Sequence, residues 1–182
     1  MTAARCQEDW HPFYDETPRF SREQVTKTLR GFLDYAGYQV TDPQPLGFMK
    51  PDLAAHRALG QPRYEMIFVV REGINQAVEG FRELAAAKCF QKDSLDYVLV
   101  LPPVSEHHLI EFLTEREDWF FPIQDQLFQL WLANPDREKV DCLLGWPRDE
   151  DFKHYFASPA LAGFSGFIAG KAARKIMREE FE

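Results

Sequence analysis

The chain of 182 residues has few cysteines, and they form no recognisable pattern. Cys6, Cys89 and Cys142 lie far apart, are odd in number and show no metal-ligand spacing such as Cys-x-x-Cys. They therefore predict neither a disulfide framework nor a zinc site. Such sparse cysteine usage is typical of a reduced compartment, and we expect a cytoplasmic protein.

Long apolar segments are also missing. The most apolar C-terminal stretch, residues 160–173, contains Ser165 and Lys171, and it is shorter than the roughly 20 residues that a membrane-spanning helix needs. The first 16 residues lack the apolar core of a signal peptide. We therefore expect no membrane partner.

Basic residues are in deficit, with 21 Lys and Arg against 29 Asp and Glu and a net charge of −8. Proteins that bind nucleic acid usually carry a basic excess or a basic patch. The charge therefore disfavours a nucleic-acid partner, although it leaves a local basic groove open. A protein partner or a homo-oligomer stays open as well, and the composition names neither.

The hydrophobic content is ample, at 45% of residues with 16 Phe, and predicts one domain with a well-filled core. The clearest local signal is a helix over residues 21–36. Ser21 and Gln24 match a capping box at its start, and apolar residues follow at helical spacing. Gly37 then provides the glycine that commonly ends a helix.

The next residues predict alternating strands and helices. Strands are expected at 38–41, 50–57 and 66–70, because these short segments are bounded by glycine, proline or turn residues, and the last two should pair as a hairpin. Residues 75–90 have helical spacing. Residues 96–102 form an almost unbroken apolar run, which is typical of a strand buried on both faces with a parallel neighbour.

The last part of the chain is predicted to extend the same domain. Residues 105–115 should form a helix, and residues 127–133 and 140–146 a second hairpin, although the first of these segments could instead be helical. A terminal helix is expected over 159–181. The whole predicts one mixed sheet with helices on both faces.

The order of these elements and the triplet Lys50-Pro51-Asp52 resemble the PD-(D/E)XK nuclease superfamily. In that family a helix leads to a hairpin that carries a Pro-Asp pair, and the next strand carries an acid, any residue, and a lysine. The resemblance implies a three-layer α/β/α sandwich with a central mixed β-sheet, of the restriction-endonuclease-like type. Residues 1–20 would be an irregular leader, 21–102 the nuclease-like core, and 103–182 a helical and hairpin extension completing a single domain.

The resemblance also implies a chemistry in which two acids hold Mg²⁺ and a lysine assists. Asp52 matches the first acid, but Val69 stands at the second acid's position and Arg71 at the lysine's. A single carboxylate beside a permanently charged arginine is a poor Mg²⁺ site. We therefore expect Asp52 and Arg71 to contact each other, either as a remnant catalytic pocket that binds an anion or as a structural salt bridge.

No other carboxylate is an obvious replacement. Glu65 shares a strand face with Val69 and Arg71, but it lies four residues before Val69, or about 13 Å along a strand. Glu79 and Glu83 follow on the next helix, and its spacing predicts that they lie nearly opposite the apolar side.

Three functional hypotheses follow. The first is a catalytically inactive binding or scaffold module that needs no cofactor. The second is an active nuclease that uses Mg²⁺ or Mn²⁺, held by Asp52 with Glu65, Glu79 or Glu83. The third is an acidic, oligomerising interaction protein with no link to nucleic acid.

Overall fold

The computed structural model describes residues 20–57, 64–90, 95–115, 128–145, 147–157 and 174–180. Helix α1 spans Arg22–Tyr35 and begins with the predicted capping box. The Ser21 hydroxyl accepts the Gln24 N–H at 3.3 Å, and the Gln24 side chain accepts the Ser21 N–H at 2.9 Å. Gly37 follows with a φ of 82°, a left-handed conformation that favours glycine and lets the chain leave the helix.

The sheet has six strands in the order β1-β2-β3-β4-β5-β6. Their bounds are Gln39–Thr41, Leu53–Arg57, Tyr64–Val70, Leu95–Leu101, Gln129–Asn134 and Lys139–Leu144. The central pairs β3–β4 and β4–β5 are parallel, and the other three pairs are antiparallel. The mixed sheet and both hairpins are confirmed. The helical alternative for the first arm of the second hairpin is wrong, because that arm is β5.

Helix α2, Ala77–Phe90, follows a short 3-10 turn and connects the parallel strands β3 and β4. Helix α3, Glu106–Glu115, makes the equivalent connection between β4 and β5. A second 3-10 segment spans Asp151–Tyr155. Of the predicted terminal helix, residues 174–180 are helical and the remainder lies outside the described residues. Within the described parts, no helix is both long and apolar enough to cross a membrane.

The two faces of the sheet carry separate hydrophobic clusters. On one face Val69 and Leu99 pack with residues of α2 and α3. On the other face Phe68 and Trp131 pack with residues of α1 and of the 3-10 segment that contains Phe152. Alternate residues of each strand serve alternate clusters, as the two-residue period of a strand requires. The helices therefore lie on both faces of the sheet.

Candidate functional site

Two neighbouring strands meet at the candidate site: β3 ends there and β2 begins there. The Asp52 N–H donates to the Phe68 carbonyl at 2.8 Å, and Leu53 pairs with Phe68, which places Asp52 opposite Val69. Arg71 directly follows β3, and its N–H donates to the Val100 carbonyl of β4 at 3.0 Å. The carboxyl ends of parallel strands are common positions for binding sites in α/β proteins.

Asp52 and Arg71 form the contact that the sequence predicts. Nη1 of Arg71 lies 3.3 Å from Oδ2 of Asp52, and the two side chains are 11% and 10% exposed. The same Oδ2 accepts the Val70 N–H at 2.7 Å, and Nη1 also donates to the Val70 carbonyl at 2.7 Å. The pair is thus held by main-chain hydrogen bonds as well as by charge.

Two further residues extend this pair into a chain of alternating charges, which we call the four-charge chain: Arg22, Asp52, Arg71 and Glu83. Nη2 of Arg22 pairs with Oδ1 of Asp52. Nη2 of Arg71 pairs with Oε1 of Glu83. Its members come from α1, the start of β2, the end of β3 and α2. With two positive and two negative members, the four-charge chain has no net charge.

The prediction that Glu83 points away from the site is wrong. Gly80 and Ala87 are buried along with the large apolar residues of α2, so the buried face extends further toward Glu83 than the apolar spacing indicated. A Cβ on Gly80 would lie 2.6 Å from a methyl group of Leu99 and 3.6 Å from Cγ of Arg71. The helix therefore approaches the sheet closely at Gly80, and Glu83, one turn later, reaches Arg71.

The other two candidate acids occupy different places. Glu79 is exposed, as its predicted place nearly opposite the apolar side of the helix implies, and it lines the same open cavity as Arg71 and Glu83. Glu65 lies at the far end of β3, where the strand register places it opposite His56 of β2, and it lines a separate cavity. The distance argument against Glu65 therefore holds, because Asp52 does lie opposite Val69.

Val69 occupies the position at which the resemblance places a second acid. Its side chain is fully buried and packs in the apolar cluster with Phe81 and Leu99. An ionised carboxylate at this position would be buried without the polar partners that it requires. The surroundings of Val69 are therefore apolar and suit a hydrocarbon side chain.

Three members of the four-charge chain, Arg22, Arg71 and Glu83, line an open cavity of about 640 Å³. Its charged lining residues are Arg22, Lys50, Arg71, Glu72, Glu79 and Glu83. Phe48 stands at the cavity wall with its ring fully exposed. It is carried by a tight turn that the Leu46–Met49 bridge closes, and Gly47 allows this turn with a φ of 62°.

The donor set at Asp52 does not fit a divalent metal ion as the site stands. Mg²⁺ takes oxygen ligands, usually carboxylates that are free to bind it. Here Oδ1 of Asp52 pairs with Arg22, and Oδ2 is held by Arg71 and by the Val70 N–H. Across the described residues, no group of three or more His, Cys, Asp and Glu side chains is arranged to hold a metal ion.

Sequence reasoning found Asp52 and Arg71 but missed how Arg22 and Glu83 join them. The signals for Glu83 are Gly80 and Ala87, small residues that let α2 lie close to the sheet at that point. The position of Arg22, directly after the Ser21 cap, gave no indication of its partner. Comparison with protein-family models found no match to the chain, and comparison with curated proteins found none either.

Proposed function

We propose that the chain is a catalytically inactive relative of the PD-(D/E)XK nucleases, with a restriction-endonuclease-like α/β/α sandwich, and that it acts as a binding or scaffold module. One observation carries the proposal: both carboxylate oxygens of Asp52 are paired with guanidinium groups, of Arg22 and of Arg71. The order of α1, the β2–β3 hairpin, α2 and β4 is the order that the resemblance requires.

Metal-dependent phosphodiester cleavage needs groups that this site does not offer. A metal ion would have to displace two guanidinium groups from Asp52, and buried Val69 supplies no second carboxylate beside it. Arg71 cannot take a proton from water, because an arginine side chain stays protonated in proteins. Among the described residues, none is therefore placed to generate hydroxide at Asp52 by the family's chemistry.

The cavity lined by Arg22, Arg71 and Glu83 is the proposed binding surface. Lys50 lines it, and among the residues that the structure describes no carboxylate pairs with Lys50. Arg22 is half exposed at the same wall, and the fully exposed Phe48 ring adds an apolar contact. A small anion such as a phosphate group suits Arg22 and Lys50, since both cations are accessible from the cavity.

A cleavage assay tests the loss of activity. Wild-type protein and Asp52→Ala are incubated with single-stranded DNA, duplex DNA and RNA in Mg²⁺ and then in Mn²⁺. We expect no cleavage above background from either protein. Cleavage by the wild type that Asp52→Ala abolishes would show that the proposal is wrong.

An NMR titration with inorganic phosphate tests the binding surface. We expect shifts of the amide signals around Lys50 and Arg22 in the wild type, and clearly weaker shifts in Lys50→Ala. Lys27→Ala, which removes an exposed lysine of α1 that does not line the cavity, is the matched control and should behave as the wild type. Equal shifts in wild type and Lys50→Ala would refute a phosphate subsite at this wall.

A second candidate function is an active nuclease with Asp52 and Glu83 as its two carboxylates. The observation in its favour is that both side chains meet at the guanidinium group of Arg71. It requires Arg71 to swing out when a metal ion enters. Its signature in the cleavage assay is activity that both Asp52→Ala and Glu83→Ala remove, whereas Glu65→Ala retains it.

A further inference from the structure

The charges that line the cavity of about 640 Å³ have both signs, and only some of them are paired within the protein. The four-charge chain neutralises its own members. The remaining charged lining residues are exposed and form no ion pair with any residue that the structure describes: Lys50, Glu72 and Glu79. Within the described part of the chain, the cavity therefore offers one unpaired cation and two unpaired carboxylates to a ligand.

Glu72 lies close to the proposed phosphate subsite. Its Oε1 accepts the N–H of Arg22 at 3.3 Å, and its own N–H donates to Oε1 of Gln76 at 3.0 Å. Glu79 follows in the first turn of α2. A phosphate group bound at Arg22 and Lys50 therefore shares the cavity with two carboxylates, and like charges repel each other at such short range.

A ligand that carries a cation as well as a phosphate group removes this mismatch. Its phosphate contacts Lys50 and Arg22, and its ammonium group contacts Glu79, whose side chain has no donor among the described residues. An ammonium group can donate three hydrogen bonds, and charge-assisted bonds to a carboxylate are strong. Small-molecule sites commonly have volumes of roughly 300–1,000 Å³, so a cavity of about 640 Å³ has room for both ends of such a ligand.

We propose that the cavity is a site for a small soluble zwitterion, the phosphate monoester of an amino alcohol, with Glu79 as the acceptor of its ammonium group. The inference rests on the proposed phosphate subsite at Arg22 and Lys50 and adds the second end of the ligand. The exposed ring of Phe48, at the same cavity wall, provides an apolar contact for the carbon atoms between the two charged groups.

The test compares two ligands that differ only in the amine. O-phosphoethanolamine carries the ammonium group, and ethyl phosphate is the same phosphate monoester without it. An NMR titration of the full wild-type chain at neutral pH gives both dissociation constants. We expect O-phosphoethanolamine to bind more tightly by about threefold or more, because only its ammonium group can pair with Glu79.

The outcome of this comparison separates the inference from the function on which it rests. Equal affinities for the two ligands would overturn the inference and leave the phosphate subsite in place. If neither ligand binds, the phosphate subsite is refuted and the inference fails with it. Neither result depends on a variant, so a variant that fails to fold does not affect the test.

Two variants locate the ammonium end of the ligand. Glu79→Gln keeps the size of an exposed side chain and removes its charge, so it should abolish the preference by weakening O-phosphoethanolamine and not ethyl phosphate. Glu23→Gln, which neutralises an exposed carboxylate of α1 that does not line the cavity, is the matched control and should keep the preference. A preference that survives in Glu79→Gln, or that Glu23→Gln removes equally, would show that Glu79 does not hold the ammonium group.

Phosphate and ammonium groups also occur together in the headgroup of phosphatidylethanolamine. Vesicles of phosphatidylcholine with and without phosphatidylethanolamine distinguish this source from a soluble ligand. We expect the full chain to bind O-phosphoethanolamine and to sediment with neither kind of vesicle. Sedimentation with the phosphatidylethanolamine vesicles alone, without binding of O-phosphoethanolamine, would overturn the proposal of a soluble ligand.

Discussion

The Tyr38 hydroxyl donates a 2.7 Å hydrogen bond to Oδ2 of Asp149, a residue 111 positions further along the chain. Asp149 also pairs with Arg57 at the end of β2, at 3.0 Å. Both Tyr38 and Asp149 are buried. The bond therefore fastens the segment after β6 to the beginning of the sheet, where desolvation makes a charge-assisted hydrogen bond costly to lose.

Replacing Tyr38 by Phe should lower the free energy of unfolding by about 1–2 kcal/mol, because Asp149 loses one donor but keeps Arg57. Urea unfolding at neutral pH measures this loss. Tyr35→Phe is the control, since Tyr35 is largely exposed and its hydroxyl lies outside this network. A loss of the same size in Tyr35→Phe would show that the Asp149 bond is not the cause.

The buried hydroxyl group of Tyr38 also predicts that the stability of the folded protein depends on pH in the alkaline range. Burial, and then the hydrogen bond to Asp149, raise the pKa of Tyr38 far above its ordinary value of 10.0. The folded state thus holds the proton more tightly than the unfolded state does. The stabilisation is complete below pH 10.0 and is lost as the pH rises beyond it. Tyr38→Phe should lose less stability than the wild type when unfolding is followed above this pH.

Asp96 and Arg148 form a second link between the sheet and the residues after β6. Burial raises the pKa of Asp96 above 3.8, and Arg148, whose Nε lies 2.9 Å from Oδ1, opposes that rise. Arg148→Ala should therefore raise the pKa of Asp96 further, as a ¹³C NMR titration of its carboxyl group would show. Arg30→Ala, which removes an exposed guanidinium group on α1, should leave that pKa unchanged.

The sign of the accompanying stability change follows from the raised pKa. The folded state binds the Asp96 proton more tightly than the unfolded state, so this residue's contribution is fully present below pH 3.8 and is lost as the pH rises through the folded-state pKa. In Arg148→Ala this loss of stability should continue to a higher pH, because the pKa of Asp96 is raised further. Chemical unfolding across this acid range measures it, and an Arg148→Ala profile parallel to the wild type would contradict it.

The sequence predicted most of the fold because its signals are local. The capping box at Ser21 and Gln24 and the alternation of apolar residues each depend on a few neighbouring residues. The parallel β3–β4 pair followed from a buried apolar run placed after a helix. Such signals need no knowledge of how distant elements pack.

Only part of the candidate site was predictable, because its other contacts join elements that are distant in the sequence. The Asp52–Arg71 pair follows from hairpin register, which a strand pattern fixes. The approach of Arg22 and Glu83 depends on how closely α1 and α2 lie against the sheet. For α2 that distance is set by tertiary packing around Gly80, and the apolar side centred on Ala77, Phe81 and Leu84 placed Glu83 on the wrong side.

Asp52 should contribute far more to the free energy of unfolding than Arg22, its half-exposed partner, does. Asp52→Ala removes the acceptor of the Val70 N–H and leaves Glu83 as the only carboxylate that pairs with the largely buried charge of Arg71 among the described residues, so we expect a loss of about 2–4 kcal/mol. Arg22→Ala should cost less than about 1 kcal/mol, because the Arg22 side chain is half exposed. Denaturant unfolding of both variants measures the difference, and equal losses would refute this ranking.

Gly80 and Gly31 offer a direct test of the close approach that brings Glu83 to the site. A Cβ on Gly80 would lie 2.6 Å from Cδ1 of Leu99, whereas a Cβ on Gly31 would meet nothing within 4 Å. Leu99 is fully buried and has little room to move. Crowding of this kind costs about 1–3 kcal/mol, which outweighs the gain of about 1 kcal/mol from alanine in a helix.

Gly80→Ala should therefore lower the free energy of unfolding by about 1 kcal/mol or more, while Gly31→Ala, an exposed position inside α1, should raise it by about 0.5–1 kcal/mol. Equilibrium unfolding in urea measures both. Gly80→Ala should also shift the NMR signals of Arg71 and Glu83, because α2 must move away from the sheet to relieve the contact with Leu99. If both alanine variants gain stability, helix α2 is not packed against β4 through Gly80, and the contact between Glu83 and Arg71 loses its structural explanation.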